Sequence, residues 1–324
     1  MSKKRKSETS RTAAARAISS PHQIAAEGSD DRPISKPSTG EQSGSKSVTG
    51  LVIVATPIGN AGDITLRALE LLRRADRIAC EDTRVTGGLM ARYGIATPLL
   101  AYHEHNAARM RPVLLERLRG GETVALVSDA GTPLISDPGY KLVRAAVEAG
   151  IPVTTLPGAS AALAALVLSG LPSDRFFFAG FLPPRTAARR ADLAALASIP
   201  ATLIFFESAG RLAASLADMA TVLGARDAAV ARELTKLYEE VRRGTVAELA
   251  EHYAAADQPK GEIVIVVGPP AAAIEASDAA IDDALRAALA SESLRDAVAA
   301  VAAALGAPRR RVYARALAIA GGKP

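Results

Sequence analysis

Apolar residues along this chain fall into short runs, each ending in a polar cluster. Residues 51–55 are aliphatic and largely β-branched, and stop at Thr56-Pro57-Ile58-Gly59-Asn60. That is the pattern of a buried strand running out into a loop. Residues 77–80 form a second run, entering Glu81-Asp82-Thr83-Arg84, and residues 99–102 a third, entering His103-Glu104-His105-Asn106. Residues 123–127 form a fourth, ending at Ser128 and Asp129. Residues 151–156 are the fifth, followed by Pro157 and Gly158. Between the runs, apolar positions recur at helical spacing. Leu66, Leu69, Leu72 and Ala75 share one side, with Asp63 or Thr65 as the cap, and further helices are predicted over 111–118, 140–149 and 159–169. Strands alternating with helices predict βα units and a mostly parallel sheet, whose chemistry gathers in the loops at the carboxyl ends of the strands.

A second α/β block is predicted from 176 to 268, with strands at 176–178, 202–206, 229–232 and 263–267 and helices near 187–197 and 210–223. Pro183, Pro184, Arg185, Arg189 and Arg190 read as a basic, mobile loop. Residues 269–280 read as an Ala/Pro-rich linker. Helices at 294–305 and 310–320 about a turn at 306–308 form a small helical unit. The expected organisation is a tail at 1–47, α/β domains at 48–172 and 173–270, and a linker with a helical unit at 271–324.

With 324 residues, 49% hydrophobic and 23% charged, the composition is that of a globular chain and excludes global disorder. The single cysteine, Cys80, excludes an intramolecular disulfide framework and a Cys-based zinc site. No apolar run approaches the roughly 18 residues needed to span a bilayer. The net charge of +5 suggests nucleic acid, but its location changes that inference. Residues 1–47 carry nine basic and five acidic residues, leaving the rest close to neutral. That segment is polar and poor in large apolar residues, and is predicted to be a disordered tail.

Several chemistries are missing. No G-x-G-x-x-G follows the first strand, and no G-x-x-x-x-G-K-[ST] occurs. Gly158-Ala159-Ser160-Ala161-Ala162 lacks the last glycine of a serine-hydrolase elbow. His103 and His105 could pair on a metal, but without a supporting cluster a hydrogen-bonding role is expected. Three loops stand out instead: Thr56 to Asn60, where proline and glycine fix a turn; Ser128 to Gly139, long and rich in small residues; and Pro157-Gly158-Ala159-Ser160, which opens a helix.

These loops resemble the ribosomal RNA small-subunit methyltransferase I family of the tetrapyrrole methylase superfamily. Gly62-Asp63-Ile64-Thr65, Glu81-Asp82-Thr83-Arg84, Phe205-Phe206-Glu207-Ser208, Arg232-Glu233-Leu234-Thr235-Lys236 and Lys260-Gly261-Glu262 carry the resemblance further, in order, over about residues 50–268. It implies a two-domain α/β fold of the class III methyltransferases with a small C-terminal helical unit. It implies S-adenosylmethionine in the cleft between the domains, a cytoplasmic homodimer, and 2′-O-methylation of a cytidine ribose in the decoding region of 16S rRNA in the 30S subunit; the alternatives are a same-fold methyltransferase acting on a tetrapyrrole or another small molecule, and a non-catalytic RNA-binding ribosome-assembly protein. The cofactor residues carried over are Pro57, Gly59, Ser128, Asp129, Gly131, Leu134, Ile135, Ser136, Ala159 and Ser160, with Phe206 and Leu234 from the second domain. Glu81 or Asp82 is expected to accept the hydroxyl proton, with Arg84 orienting RNA; the alternative is a structural ion-pair network among the three. His103, His105, Asn106, Arg211, Lys236, Arg309, Arg310 and Arg311 are the expected RNA contacts. All six phenylalanines lie between 176 and 206 and tryptophan is absent, so recognition is expected to rest on shape, phosphate and 2′-hydroxyl groups.

Overall fold

A computed structural model describes residues 49–271 and 276–321, so the predicted tail lies outside the described residues. The first layer is a parallel sheet of β1 (Gly50–Val54), β2 (Arg77–Cys80), β3 (Leu99–Ala101), β4 (Thr123–Val127) and β5 (Val153–Leu156) in the order β3-β2-β4-β1-β5. Helices α1 (Leu66–Arg74) and α2 (Thr83–Arg92) cover one face, against Val52, Val54, Ile78 and Val127. Helices α3 (Ala107–Arg119) and α4 (Tyr140–Glu148) cover the other, against Leu51, Ile53, Val124 and Leu126. Burial on both faces is why β1, β2 and β4 read as nearly unbroken apolar runs rather than alternating ones, whereas the edge strands β3 and β5 are only partly buried. Each fully buried aliphatic side chain contributes about 1.5–3 kcal/mol.

The topology locates the site. The chain leaves β1 past β4 to reach β2, and leaves β4 past β1 to reach β5. Neighbouring strands therefore send their connections in opposite directions, which opens a crevice at their carboxyl ends. The loops beginning at Thr56 and Ser128 flank that crevice.

Helix α5 (Ala161–Ser169), capped by the Ser160 hydroxyl, joins the two halves. Its Ala162, Ala165 and Leu166 pack on Ile204, Ala231, Val264 and Val266 of a second sheet. That sheet comprises β6 (Phe176–Phe181), β7 (Thr202–Ser208), β8 (Asp227–Arg232), β9 (Glu240–Thr245) and β10 (Glu262–Val267), in the order β6-β7-β10-β8-β9. Only the β6–β7 pair is parallel among these. Helices α6 (Thr186–Leu196), α7 (Leu212–Leu223) and α8 (Val246–Ala255) cover its far face. Helices α9 (Asp278–Ala288), α10 (Leu294–Leu305) and α11 (Arg309–Gly321) close around Ile281, Leu285, Val298 and Val312.

Three sequence expectations change. The basic loop is a clamp: Arg189 is buried, pairs with Asp218 at 2.6 Å, and donates to the Pro184 carbonyl at 3.2 Å. Arg190 binds the other oxygen of Asp218. Strand β9 and helices α2 and α8 were not expected. Helix α9 begins at Asp278, inside the stretch read as linker.

Candidate functional site

The loops after β1 and β4 are joined into one platform. Thr56 and Gly131 exchange backbone hydrogen bonds at 2.9 and 3.0 Å, and the Thr56 hydroxyl donates to the Ser128 carbonyl at 3.1 Å. The β4 loop turns sharply beyond that point. Gly131, Leu134 and Ser136 all have left-handed backbones, at φ of 82°, 73° and 69°. For the two non-glycine residues this costs about 1–3 kcal/mol each, a strain typical of ligand-binding loops. The turn directs Leu134 towards the core on the α3/α4 face, and brings Ile135, Ser136 and Asp137 to a cavity of about 440 Å³.

The cavity's opposite wall comes from the second sheet. Phe206, held edge-on by Phe178 and Phe181 at 4.8 and 5.6 Å, lies there with Leu234, Ile263 and Val264. The buried Glu207 also faces it, accepting from the Ser208 N–H at 2.8 Å and the Ser215 hydroxyl at 2.5 Å, with Arg211 at 3.3 Å. A second cavity of about 260 Å³ adjoins the first at Ile58, Asp129, Ala130 and Glu262, and is bounded by Pro57, Gly59, Ser128, Val85 and Lys236. The two halves are tied at its rim, where the Asn60 N–H donates to the Thr235 hydroxyl at 3.1 Å.

Of the residues expected to hold a cofactor, Asp129, Gly131, Ile135, Ser136, Ser160, Phe206 and Leu234 line the larger cavity. Pro57, Gly59 and Ser128 line the smaller one, with Asp129 at both. Leu134 points to the core instead. Ala159 takes part through its carbonyl, which accepts the Thr132 hydroxyl at 3.1 Å.

The acidic residues divide by what already occupies them. Asp82 caps α2 and pairs with Arg84 at 2.6 Å, and the Arg84 hydrogen bonds hold its carboxyl at about 2. The ion-pair alternative is therefore present for Asp82 and Arg84, while Glu81 stands outside that pair. Burial, then the negative charge of Asp129, raises the Glu81 carboxyl, and His103 partly opposes this. Asp137 was not among the expected residues. Burial, followed by the charge of Glu81, pushes it up to about 6 despite a hydrogen bond from Ser128.

The expected RNA contacts separate as well. Asn106 closes a turn, accepting the His103 N–H and donating to the Ala101 carbonyl, both at 3.0 Å. The Arg211 guanidinium is taken by the Leu182 carbonyl and Glu207, so it is a wall support rather than a free phosphate contact. Lys236 bridges Glu233 at 2.8 Å and Glu262 at 3.2 Å. Burial would lower its ammonium pKa, but these two carboxylates outweigh that and raise it. His105 is exposed, with its ring 6.0 Å from that of His103. Arg309 and Arg310 are exposed at the start of α11, while Arg311 pairs with Asp278 at 2.8 Å. No group of three His, Cys, Asp or Glu among the described residues is arranged to hold a metal.

Residues 50–250 match the model for Tetrapyrrole (Corrin/Porphyrin) Methylases, and residues 275–320 match that for the RsmI C-terminal HTH domain. The chain is 56% identical over 269 residues to a Mesorhizobium japonicum protein named ribosomal RNA small subunit methyltransferase I, covering 82% of this chain and 91% of that one. The chain belongs to the ribosomal RNA small subunit methyltransferase I family. The Xylella fastidiosa member of the family is 52% identical over 268 residues, covering 81% of this chain and 97% of that one. Among solved structures, a diphthine synthase shares the fold at a TM-score of 0.54 and 19% identity, over 67% of this chain and 89% of that one. The family's second match falls on the α9–α11 unit. Sequence reasoning in the family's motifs missed Asp137 and Glu207, although both sit inside stretches that carried the resemblance. Ile58 and Glu262 were missed too. Asp137, Glu207 and Ile58 each stand one residue from a residue already chosen, and Glu262 closes the Lys260-Gly261-Glu262 stretch that carried the resemblance.

Proposed function

We propose that this chain transfers a methyl group from S-adenosylmethionine to the 2′-hydroxyl of a cytidine ribose in 16S rRNA of the 30S subunit, as a cytoplasmic homodimer. The observation that carries this reading is the pair of adjoining cavities at the β1/β4 crevice, within a chain of this family. S-adenosylmethionine fits the larger one. Its volume of about 440 Å³ lies in the range of small-molecule sites. Phe206, Leu234 and Ile263 offer an apolar wall to an adenine, and the strained β4 loop offers backbone groups. Asp129 and Asp137 supply negative charge towards a sulfonium.

When bound, the cofactor supplies an activated methyl group for in-line displacement. The chain's own contribution is alignment: the Thr56–Gly131 bridge fixes one side and the Asn60–Thr235 contact fixes the other, so donor and acceptor are held without large motion. Lys236, held by Glu233 and Glu262, walls the smaller cavity rather than offering a free cation. Arg309 and Arg310, exposed at the start of α11, offer two cations to the ribose-phosphate backbone of the substrate. No helix among the described residues is long and apolar enough to cross a membrane. Exposed Leu163 and Val167 on α5, and Phe176 and Phe177 on β6, support self-association.

The test supplies radiolabelled methyl donor with 30S subunits lacking the modification, then maps the product. Label on a cytidine 2′-oxygen is expected. Label on a base, or on an added porphyrin and not on RNA, would reject the proposal.

A further inference from the structure

Four carboxylates line the larger cavity: Asp129, Asp137, Glu207 and Glu262. Three are already engaged by fixed donors. Asp129 accepts the Asp82 N–H, Glu207 accepts the Ser208 N–H and pairs with Arg211, and Glu262 pairs with Lys236. Asp137 has neither a backbone N–H nor a cation on its carboxyl. Its one partner is the Ser128 hydroxyl, whose single proton is also within reach of the Ala130 and Gly131 carbonyls at 3.2 and 3.1 Å. Asp82, one of the two residues expected from sequence to act as base, is bound by Arg84. Glu81, the other, lines neither cavity.

We infer that Asp137 is the proton acceptor for the methylated hydroxyl, a role that rests on the ribose-methyltransferase reading above. In the step, the acceptor oxygen forms its bond to the methyl carbon as the carbon–sulfur bond breaks, with that electron pair staying on sulfur. The hydroxyl proton passes to the Asp137 carboxylate and is later released to water, so charge and atoms balance without another reactant. The position suits the task. Asp137 follows the left-handed Ser136, which fixes its direction, and it is only half-buried, so the proton can leave. Its surroundings make it a stronger base than an ordinary aspartate. The charges facing it are Glu81 from the end of β2 and Asp129 from the end of β4, with Glu207 and Glu262 across the cavity. The cations Arg211 and Lys236 are spent on Glu207 and Glu262. A base with a pKa of about 6 is ionised at neutral pH and retains driving force for proton transfer.

The experiment has two arms. In the first, wild type and Asp137→Asn are assayed on 30S subunits lacking the modification. The expected result is a kcat lower by about 10²–10⁴-fold, with KM for subunits and affinity for S-adenosylhomocysteine within about threefold of wild type. The second arm needs no turnover. Proton release on cofactor binding is measured by calorimetry at pH 6 in buffers of different ionisation enthalpy. The sulfonium cation favours ionised Asp137, so wild type is expected to release about half a proton with S-adenosylmethionine and almost none with neutral-sulfur S-adenosylhomocysteine. Asp137→Asn should abolish the difference. A kcat within tenfold of wild type, or no differential release by wild type, overturns the assignment. The wild-type proton count decides alone if the variant does not fold. Release that follows this pattern while the wild type methylates some other acceptor would overturn the ribose reading and leave Asp137 as a base beside the methyl donor.

Discussion

The Asp129 carboxylate accepts the backbone N–H of Asp82 at 3.0 Å, across 47 residues of sequence. One oxygen of the loop leaving β4 thereby fixes the start of α2 at the end of β2, while the same residue lines both cavities. Asp129→Ala removes that link and leaves the Asp82 N–H without its partner. Stability should fall by about 1 kcal/mol, and affinity for S-adenosylhomocysteine by at least tenfold. Calorimetric titration with a thermal melt checks both, and unchanged affinity would mean that the cofactor lies elsewhere.

Gly59 is placed against Lys236. A Cβ there would stand 2.5 Å from the Lys236 Cγ and 3.1 Å from the Leu234 carbonyl. Real side chains do not approach so closely, so Gly59→Ala must displace the lysine from Glu233 and Glu262. Methyl transfer to 30S subunits is expected to fall about tenfold. In a Lys236→Ala background the same change should cost clearly less, because the side chain it collides with is gone. Equal losses in both backgrounds would show that the two residues act independently.

How far the sequence could be read depends on what each residue signals locally. In the first sheet, β1, β2 and β4 were legible because burial on both faces makes each a compact apolar run ending in polar residues, and the partly buried edge strands β3 and β5 were legible from the polar or Pro-Gly stretches that end them. Strand β9, Glu-Val-Arg-Arg-Gly-Thr, was not. It is an edge strand whose charges protect an open edge and erase the apolar signal. Helix α2 was hidden for another reason. Thr83, Val85, Thr86, Gly87 and Gly88 are poor helix formers, and the helix exists through the Asp82 cap and the burial of Thr86 and Met90. In the site, the loops were legible from their proline and glycine. The fate of each carboxylate was not: Arg84 and Arg211 lie two and four residues from Asp82 and Glu207, a spacing that permits a pair without dictating one, and Lys236 reaches Glu262 only across 26 residues of sequence. Asp137 could be separated from Asp82 only after those partners were known.

The three arginines opening α11 differ in the same way. Arg311 pairs with Asp278 of α9, and Arg315 pairs with Asp282 of α9, so these two hold the helical unit together. Arg309 and Arg310 face solvent. Replacing Arg309 and Arg310 with alanine should weaken binding to 30S subunits and reduce the dependence of log affinity on log salt by about 1–2. Arg311→Ala should instead lower the melting temperature of the helical unit, with a smaller change in the salt slope. Binding isotherms at several salt concentrations separate the two outcomes.

Asp218 links the far helices to the cleft. It binds Arg189 and Arg190 of α6, and Arg189 in turn holds the Pro184 carbonyl beyond Phe181 and Leu182. Burial raises its carboxyl pKa, but the hydrogen bonds from Arg190 and Arg189 outweigh that, and the net shift is downward. A depressed folded-state pKa means that this contribution is complete above the unfolded value near 3.8 and is lost as pH falls through the folded value. Asp218→Ala leaves a buried guanidinium uncompensated and should cost about 3 kcal/mol at pH 7. Chemical denaturation across pH should show the gap between wild type and variant holding steady from pH 7 to 5, then closing in acid. A gap that stays constant into strong acid would assign the loss to packing of the side chain rather than to its charge.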